Sequence, residues 1–322
     1  MFYIGSGGIE KTLIQKTGVP FFQVTCGKLR RYFSWQNFVD AFRVPVGIGQ
    51  SYFLLKKLKP DVVFSKGGFV SLPVSLGAWM AGIPLVLHES DFRPGLANKI
   101  SARFAKVICT SFEGTKKFFE ERGGKNEIIV TGNPIRKSIF SGDEKEGLRI
   151  AGFNRFKPVI LVMGGSQGAE KLNKLVREAL PVLTKKFQIL HIAGKGGIDI
   201  GIHKEGYKQF EFLDEPLRHA YAMSSLVVSR GGANSLFEIA ALGKKAVIIP
   251  LSGEASRGDQ IDNAKIFAKK HSWSVLSGFI SAENFISAIN LAFHQKFTGE
   301  KEQTDAAKKI SEILFSIINR KK

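Results

Sequence analysis

The feature of this chain that most restricts its fold is a double series of short, almost wholly apolar segments separated by helix-length stretches. Strands that lack an alternating polar side are buried on both faces, as in parallel sheets with helices on each side. The series therefore predicts an α/β fold with two doubly wound, Rossmann-like domains. Its segments are FYIG, FFQVT, DVVFSKG, PLVLHE, KVICTS and EIIVTGNP, then PVILVMGG, FQILHIAG, QFEFL, LVVSRGG, AVIIP and WSVL.

The two series are separated by TGNPIRKSIFSGDEKEG, in which Pro134, Gly142 and a charged run interrupt the pattern. We expect an N-terminal domain over residues 1–140 and a C-terminal domain over residues 141–322. The amphipathic tail should form a last helix, placed in the C-terminal domain or packed back on the N-terminal one. Because ligands of such sheets bind at the carboxyl ends of the strands, the expected site is an interdomain cleft.

Charge and cysteine content narrow the functional classes. The chain has 322 residues, and 47 Lys and Arg against 28 Asp and Glu give a formal charge of +19, which indicates an anionic partner. No helix-turn-helix, zinc-finger or RNP pattern occurs, so we expect no nucleic-acid partner. Cys26 and Cys109 are too few for a disulfide framework or a zinc site, and no signal-peptide pattern begins the chain, so we expect a cytoplasmic location and no metal.

One uncharged segment, residues 67–87, is about as long as a bilayer is thick. Its two prolines favour another interpretation, because Pro73 suits the first turn of a helix and Pro84 ends one. We therefore expect a loop, a short helix and a new strand here, with a membrane span as the lesser alternative.

Three strand ends carry glycines that could let a backbone approach a ligand. The first is Gly67-Gly68, which ordinary turn chemistry explains equally well. The second is Gly164-Gly165-Ser166, where backbone amides and a hydroxyl could meet a phosphate or sugar oxygen.

The third glycine end, SRGGANSLFE, is richer in candidate ligand groups. Arg230 ends the strand, and Asn234 or Ser235 is expected to cap a helix with Glu238 in its first turn. A carboxylate there could accept hydrogen bonds from two neighbouring ribose hydroxyls, while helix amides and the arginine hold a diphosphate. A capping box, in which Glu238 folds back onto the helix end, has equal weight on spacing alone.

Together, GGFVSLPVSLGAWMAGIPLVLHES, TGNPIR, GGSQGAEKLN, SRGGANSLFEIAALGKKAVIIP and SRGDQIDNA resemble the MurG family of peptidoglycan N-acetylglucosaminyltransferases, in register from Tyr3 to near the end of the chain. The resemblance implies a GT-B fold and inverting transfer of GlcNAc from UDP-GlcNAc to the muramyl 4-hydroxyl of lipid I. It implies lipid II as the product, no cofactor, and a role in cell-wall synthesis, cell shape and division.

On the donor side the resemblance implies roles for a set of matching positions. Glu238 would bind the ribose, Leu213 would give a backbone contact to uracil, and Gln260 would read GlcNAc hydroxyls. Asp259 replaces a second family glutamine and cannot donate hydrogen bonds. The complete substrate-binding set is Arg136, Ser166, Asn173, Leu213, Arg230, Ala233, Asn234, Ser235, Leu236, Phe237, Glu238 and Gln260.

On the acceptor side, the resemblance implies contacts from Gly67, Gly68 and Asp91, with Asp91 standing where many members have asparagine. Phe69 replaces a tyrosine often found there. The family's first strand and GGTGGH loop, with its histidine near the reacting hydroxyl, have no counterpart here, so the catalytic base is unassigned. His88 and Glu89 are weak candidates, and orientation of a loop is the favoured role for both.

Residues 28–59 mix Lys and Arg with aromatic residues, a composition typical of a surface that rests on anionic lipid. We expect Phe38, Phe42 and the helix around Trp79 to contribute to a peripheral contact with the cytoplasmic face of the inner membrane. Burial of these aromatics in the core is the alternative. The rival function is a truncated, catalytically impaired UDP-sugar-binding protein associated with the membrane.

Overall fold

The computed structural model describes residues 1–27, 35–121, 126–165, 170–251, 258–296, 299, 301–302 and 305–320, without the side chains of Ile9 and residues 35–42. Two units share the chain. Unit 1 comprises Met1–Asn133 and Asp305–Lys322, and unit 2 comprises Pro134–Thr304.

Unit 1 alternates strands and helices, as the apolar segments predict. Its strands are β1 (Tyr3–Gly5), β2 (Phe21–Gln23), β3 (Val63–Ser65), β4 (Leu85–Glu89), β5 (Val107–Thr110) and β6 (Glu127–Val130). Its helices are α1 (Ile9–Gln15), α2 (Trp35–Leu58), α3 (Ser71–Met80), α4 (Leu96–Ser101), α5 (Lys117–Glu120) and α12 (Ala306–Asn319), and 3-10 turns cover Ala102–Phe104 and Glu113–Thr115.

All strand pairs of unit 1 in the described residues are parallel. β1 pairs with β2, and β3, β4, β5 and β6 form a second sheet in that order. The central strand β4 is buried at every residue, so it is covered on both faces. Leu85 and Leu87 pack towards Phe119 on one side, whereas Val86 packs towards Ile310 and Ile317 of α12 on the other.

The uncharged segment of residues 67–87 forms the loop, helix and strand that its prolines predict. Pro73 is the third residue of α3, where its missing N–H costs no helical bond. Pro84 follows the helix end and precedes β4. In the part of the chain that the structure describes, no helix combines the length and hydropathy that a membrane crossing requires.

The strands of unit 2 that the structure describes form one parallel sheet. Its strands are β7 (Val159–Met163), β8 (Gln188–Ile192), β9 (Tyr207–Phe210), β10 (Ser224–Ser229), β11 (Lys245–Ile248) and β12 (Ser274–Val275). Its helices are α6 (Glu144–Ala151), α7 (Glu170–Leu183), α8 (Leu217–Met223), α9 (Ala233–Ala241), α10 (Asp259–His271) and α11 (Ala282–His294), and a 3-10 turn covers Lys137–Ser141.

The sheet of unit 2 has the strand order β12-β11-β10-β7-β8-β9. From β7 the chain adds β8 and β9 on one side, then returns to add β10, β11 and β12 on the other. The carboxyl ends of β7 and β10 lie side by side, with Met163 opposite Ser229. Such neighbouring strand ends with diverging connections are where open α/β sheets bind ligands.

Helix α8 is fixed tightly against the segment that precedes it in the chain. A Cβ on Gly142 would lie 2.1 Å from the Arg218 carbonyl oxygen, and one on Gly147 would lie 2.4 Å from that of His219. His219 Nδ1 also accepts a hydrogen bond of 3.0 Å from the backbone N–H of Asp143. Only glycine permits this approach, which ties α8 to α6 and to the 3-10 turn.

Candidate functional site

The turn after β10 opens directly into helix α9. Gly232 is the N-cap residue, with extended backbone, and as a glycine it supplies no side-chain cap. The prediction that Asn234 or Ser235 caps the helix is wrong, because the helix already begins at Ala233. The dipole of α9 favours an anion at this helix start.

The residues of this helix start differ in what they can offer a ligand. The side chains of Ala233, Leu236 and Phe237 are buried in unit 2, so only their backbone groups are available. Asn234 is exposed and Ser235 is half-buried.

Glu238 lies in the second turn of α9, not in the first as the sequence suggested. Its Oε1 accepts from Arg136 Nε at 3.4 Å and its Oε2 accepts from the Tyr221 hydroxyl at 3.1 Å. The capping-box alternative is wrong, because both carboxylate oxygens are directed to other elements. The side chain is 13% exposed, so the carboxylate keeps a small open side.

Arg136 precedes the 3-10 turn and carries a half-exposed guanidinium. Besides Glu238 it faces Asp214, with Nη1 4.0 Å from Oδ1. Leu213 adjoins Asp214 in the connection between β9 and α8. The structure thus brings Arg136, Glu238 and the Leu213 segment together, although more than a hundred residues separate the two ends of this set.

Arg230 lies at the carboxyl end of β10, and its Nη1 donates to the Gly164 carbonyl oxygen at 3.3 Å. Partial burial lowers the pKa of its guanidinium from the usual value. Gly165 adopts φ +89°, a backbone conformation that favours glycine. Arg230 therefore joins the third glycine end to the second. Ser166, predicted at this second end, lies outside the described residues.

Asn173 is a buried residue of α7 that contacts the carboxyl end of β8. The amide is buried, its Oδ1 lies 3.0 Å from His191 Nε2, and its Nδ2 donates to the Ala193 carbonyl oxygen at 3.0 Å. His191 Nδ1 lies 2.8 Å from the Tyr207 hydroxyl. Burial lowers the pKa of His191 to about 4, so this ring is neutral. Both ends of Asn173 are used in holding the carboxyl end of β8.

Gln260, the second residue of α10, supports the neighbouring loop. Its Oε1 accepts from the Leu251 backbone N–H at 3.0 Å. A Cβ on Gly231 would lie 2.3 Å from the Gln260 carbonyl oxygen, so α10 touches the β10–α9 turn through backbone atoms.

In unit 1 the first glycine end follows β3. Gly67 and Gly68 adopt φ +85° and +88°, and the Ser71 hydroxyl donates to the Gly68 carbonyl oxygen at 2.7 Å. A Cβ on Gly67 would lie 2.7 Å from Asn98 Nδ2, so the loop follows this buried amide closely.

His88 and Glu89 end the neighbouring strand β4, and both are buried. His88 Nε2 donates to the Gly132 carbonyl oxygen at 3.0 Å, which leaves the lone pair on Nδ1, 3.4 Å from the Ser90 hydroxyl. Burial, opposed by the Gly132 hydrogen bond and aided by the Lys66 charge, lowers the pKa of His88 to about 4.

The Glu89 carboxylate gathers the loop that follows β4. It accepts hydrogen bonds from the backbone N–H groups of Asp91 and Gly95, both at 3.0 Å, and from Asn98 Nδ2 at 2.8 Å. Burial nevertheless raises its pKa above the usual value. Asp91, the predicted acceptor contact, is thus positioned through its own backbone by Glu89.

Tyr221 is the member of the unit 2 set that sequence reasoning missed. It is fully buried on α8, and its hydroxyl reaches Glu238 across 17 positions of the chain. In the sequence, Tyr221 stands in the otherwise apolar run AYAM, which looks like an ordinary segment of hydrophobic core, so nothing local marks its hydroxyl as part of a site.

Comparisons with known proteins agree with this geometry. The glycosyltransferase family 28 N-terminal domain matches residues 3–110, and the glycosyltransferase family 28 C-terminal domain matches residues 159–314. Two α/β units, each with parallel strands and matched by these domains, define a family 28 glycosyltransferase of the GT-B fold.

Curated relatives narrow the family further. A UDP-N-acetylglucosamine–N-acetylmuramyl-(pentapeptide) pyrophosphoryl-undecaprenol N-acetylglucosamine transferase 2 of Bacillus cereus is 51% identical over 276 residues, 85% of this chain and 77% of that protein. The transferase of Legionella pneumophila (strain Lens) is 52% identical over 269 residues, 82% of this chain and 73% of its own. The chain belongs to the MurG family, which confirms the resemblance and disfavours the non-catalytic alternative.

Solved structures show the same fold. MurG of Acinetobacter baumannii matches with a TM-score of 0.67 at 22% identity, over 98% of this chain and 90% of that one. A UDP-GlcNAc 2-epimerase from Neisseria meningitidis bound to UDP-GlcNAc gives a TM-score of 0.66 at 15% identity, over 95% and 88%.

Proposed function

We propose that this chain transfers GlcNAc from UDP-GlcNAc to the muramyl 4-hydroxyl of lipid I, with inversion at the anomeric carbon, to give lipid II for peptidoglycan synthesis. The observation that carries the proposal is the carboxylate of Glu238, held between Arg136 and Tyr221 close to the start of helix α9. A nucleoside diphosphate needs both groups, a carboxylate for its ribose diol and amides for its phosphates.

The donor would bind in unit 2 through a division of labour. The Glu238 carboxylate accepts the ribose hydroxyls, while the first amides of α9 and the Arg136 guanidinium meet the diphosphate. These cationic and dipolar groups stabilise the negative charge that develops on the departing UDP. Leu213 adjoins Asp214, which faces Arg136, so the Leu213 backbone would lie near the nucleotide that Arg136 binds. Gln260 supports the neighbouring loop at Leu251.

Three of the predicted residues act indirectly in this proposal, and for His88 and Glu89 this is the role that the sequence favoured. Asn173 would act on the donor indirectly, by holding the Ala193 turn, because neither end of its amide is open. His88 and Glu89 would order the acceptor loop, because the His88 Nε2 proton is used by Gly132 and the Glu89 oxygens by three N–H donors.

A transfer assay tests the function. The chain, UDP-GlcNAc and a short-chain lipid I analogue are mixed, and disaccharide product and UDP are measured in parallel. We expect both in equal amounts. Release of UDP without disaccharide, or no product at saturating donor with a folded protein, would contradict the proposal.

We further propose a peripheral contact of unit 1 with the cytoplasmic face of the inner membrane. Phe53 of α2 is 72% exposed, and Trp79 and Met80 of α3 are 56% and 53% exposed. The two helices pack closely, with Gly77 against Ser51. The side chains of Phe38 and Phe42, also predicted to take part, lie outside the described residues. Exposed apolar groups on a basic protein suit an anionic bilayer.

Vesicle sedimentation tests this contact. We expect the double variant Phe53→Ser, Trp79→Ser to lose roughly 10-fold to 100-fold in affinity for phosphatidylglycerol vesicles. The reason is that two large apolar side chains are no longer transferred from water into the bilayer. The control is Phe279→Ser, which removes a 96% exposed phenylalanine from unit 2. Equal binding of the double variant and the unaltered chain would contradict the proposal.

A further inference from the structure

We propose that Tyr221 is a positioning residue for the donor nucleotide: from α8, its hydroxyl holds the Glu238 carboxylate in the orientation that accepts both ribose hydroxyls. This inference rests on the proposed function, since it assigns a support to the group that binds the ribose. Tyr221 itself touches no substrate.

The first support is geometric. The Tyr221 hydroxyl donates to Glu238 Oε2 at 3.1 Å, while Arg136 Nε donates to Oε1 at 3.4 Å. Each oxygen is thus held by one donor from a different element. An ionised carboxylate has about four acceptor positions, so each oxygen keeps one for a ribose hydroxyl.

The second support is the rigidity of the residue that makes the contact. Tyr221 is 0% exposed, so its ring has no room to turn away, and its hydroxyl has Glu238 as its hydrogen-bond acceptor. Burial, with Glu238 beside it, raises the pKa of Tyr221 well above the usual value. The phenol therefore stays protonated and acts as a donor at any physiological pH.

The third support is the close packing that holds α8 in place. The contacts of Gly142 with Arg218 and of Gly147 with His219 leave no space for a side chain, so α8 cannot slide along α6. Lys244 Nζ also donates to the carbonyl oxygens of Ala222 and Ser224, at 3.3 and 2.8 Å, which fixes the end of the helix. The hydroxyl position is consequently set by backbone packing.

The 3-10 turn of Lys137–Ser141 belongs to the same packed assembly. It follows Arg136 and ends at Gly142, the residue that touches α8. One rigid assembly therefore carries both donors to Glu238: Arg136 enters the turn and Tyr221 stands on the helix that the turn packs against. A carboxylate placed by two such donors binds a diol without first losing rotamer freedom.

The test compares UDP with 2′-deoxy-UDP by calorimetry for the unaltered chain, Tyr221→Phe and Glu238→Gln. The Phe variant removes one oxygen and keeps the ring. We expect it to weaken UDP binding roughly fivefold to tenfold, and to reduce the preference for UDP over 2′-deoxy-UDP from roughly tenfold to about twofold. A matched control is Thr184→Val, which deletes another buried hydroxyl of unit 2, bonded to the Leu180 carbonyl oxygen. It should leave both affinities unchanged.

Two outcomes overturn the proposal, and they can be told apart. If Glu238→Gln weakens UDP binding but Tyr221→Phe keeps the full preference for UDP, or weakens both ligands equally, Tyr221 is a structural residue only and the ribose assignment stands. If Glu238→Gln also binds like the unaltered chain, the ribose assignment of the proposed function fails as well. Melting temperatures of all variants show whether each one is folded during the titration.

Discussion

Replacing Glu238 by alanine should lower the affinity of the chain for UDP by roughly 100-fold to 10,000-fold. The change removes two charge-assisted hydrogen bonds to the ribose, each worth about 1.5 to 3 kcal/mol. It also leaves the buried Tyr221 hydroxyl without its acceptor, at a cost of about 1 to 3 kcal/mol in folding stability. Calorimetry with UDP measures the first effect and thermal unfolding the second.

Glutamine at the same position separates these two effects. Its amide oxygen still accepts from Tyr221, so stability should remain near that of the unaltered chain while the affinity for UDP falls roughly tenfold. Glu178→Ala serves as the control, because Glu178 forms only a surface pair of 3.9 Å with Lys174. Unaltered UDP affinity in Glu238→Ala would refute the ribose assignment.

The second large effect is expected from Gly231→Ala. A Cβ there would lie 2.3 Å from the Gln260 carbonyl oxygen, so the backbone of α10 or the β10–α9 turn must move. Overpacking of this kind costs about 1 to 3 kcal/mol, which lowers the melting temperature of a unit of this size by roughly 3 to 10 °C. Differential scanning calorimetry measures the shift.

Gly232→Ala is the matched stability control for this variant. The adjoining glycine has an ordinary φ of −70°, and a Cβ there meets nothing within 4 Å. Its melting temperature should therefore fall less than that of Gly231→Ala, because only the preference of an N-cap position for glycine over alanine is lost. If the two alanine variants melt together, the contact between Gly231 and α10 is not part of the folded protein.

The strands were the most predictable part of the fold. Runs such as residues 158–165 and 226–229 indicate buried parallel strands, because no charged side chain interrupts them. The sequence also favoured a short helix over a membrane span at residues 67–87, since proline marks where helices begin and end. These signals are local, so one segment is enough to read them.

The helix start at Ala233 was less predictable. Asn234 and Ser235 are favoured capping residues, which suggested a later start, but Gly232 already has the extended backbone of an N-cap. Because the helix starts two or three residues earlier than predicted, Glu238 lies in the second turn and not in the first. The earlier start also removed the capping box, which requires the glutamate three residues after the cap.

Long-range contacts could not be read from the sequence at all. The partners of Glu238 are Arg136, 102 residues away, and Tyr221, 17 residues away. Asn173 is similarly bound by His191 and by Ala193, across 18 and 20 positions. No local pattern encodes such pairs, because they depend on how helices pack over the sheet.

The position of α12 has a consequence for the order in which the protein can fold during synthesis. Ile310 and Ile317 cover Val86, Val107 and Cys109, which belong to strands made some two hundred residues earlier. Until the ribosome has released α12, that side of the β4–β5 sheet remains in contact with water. Unit 2, contained between Pro134 and Thr304, needs no later segment and can finish first. Unit 2, whose synthesis begins only after the strands of unit 1 have been made, is thus the first unit that can be completed.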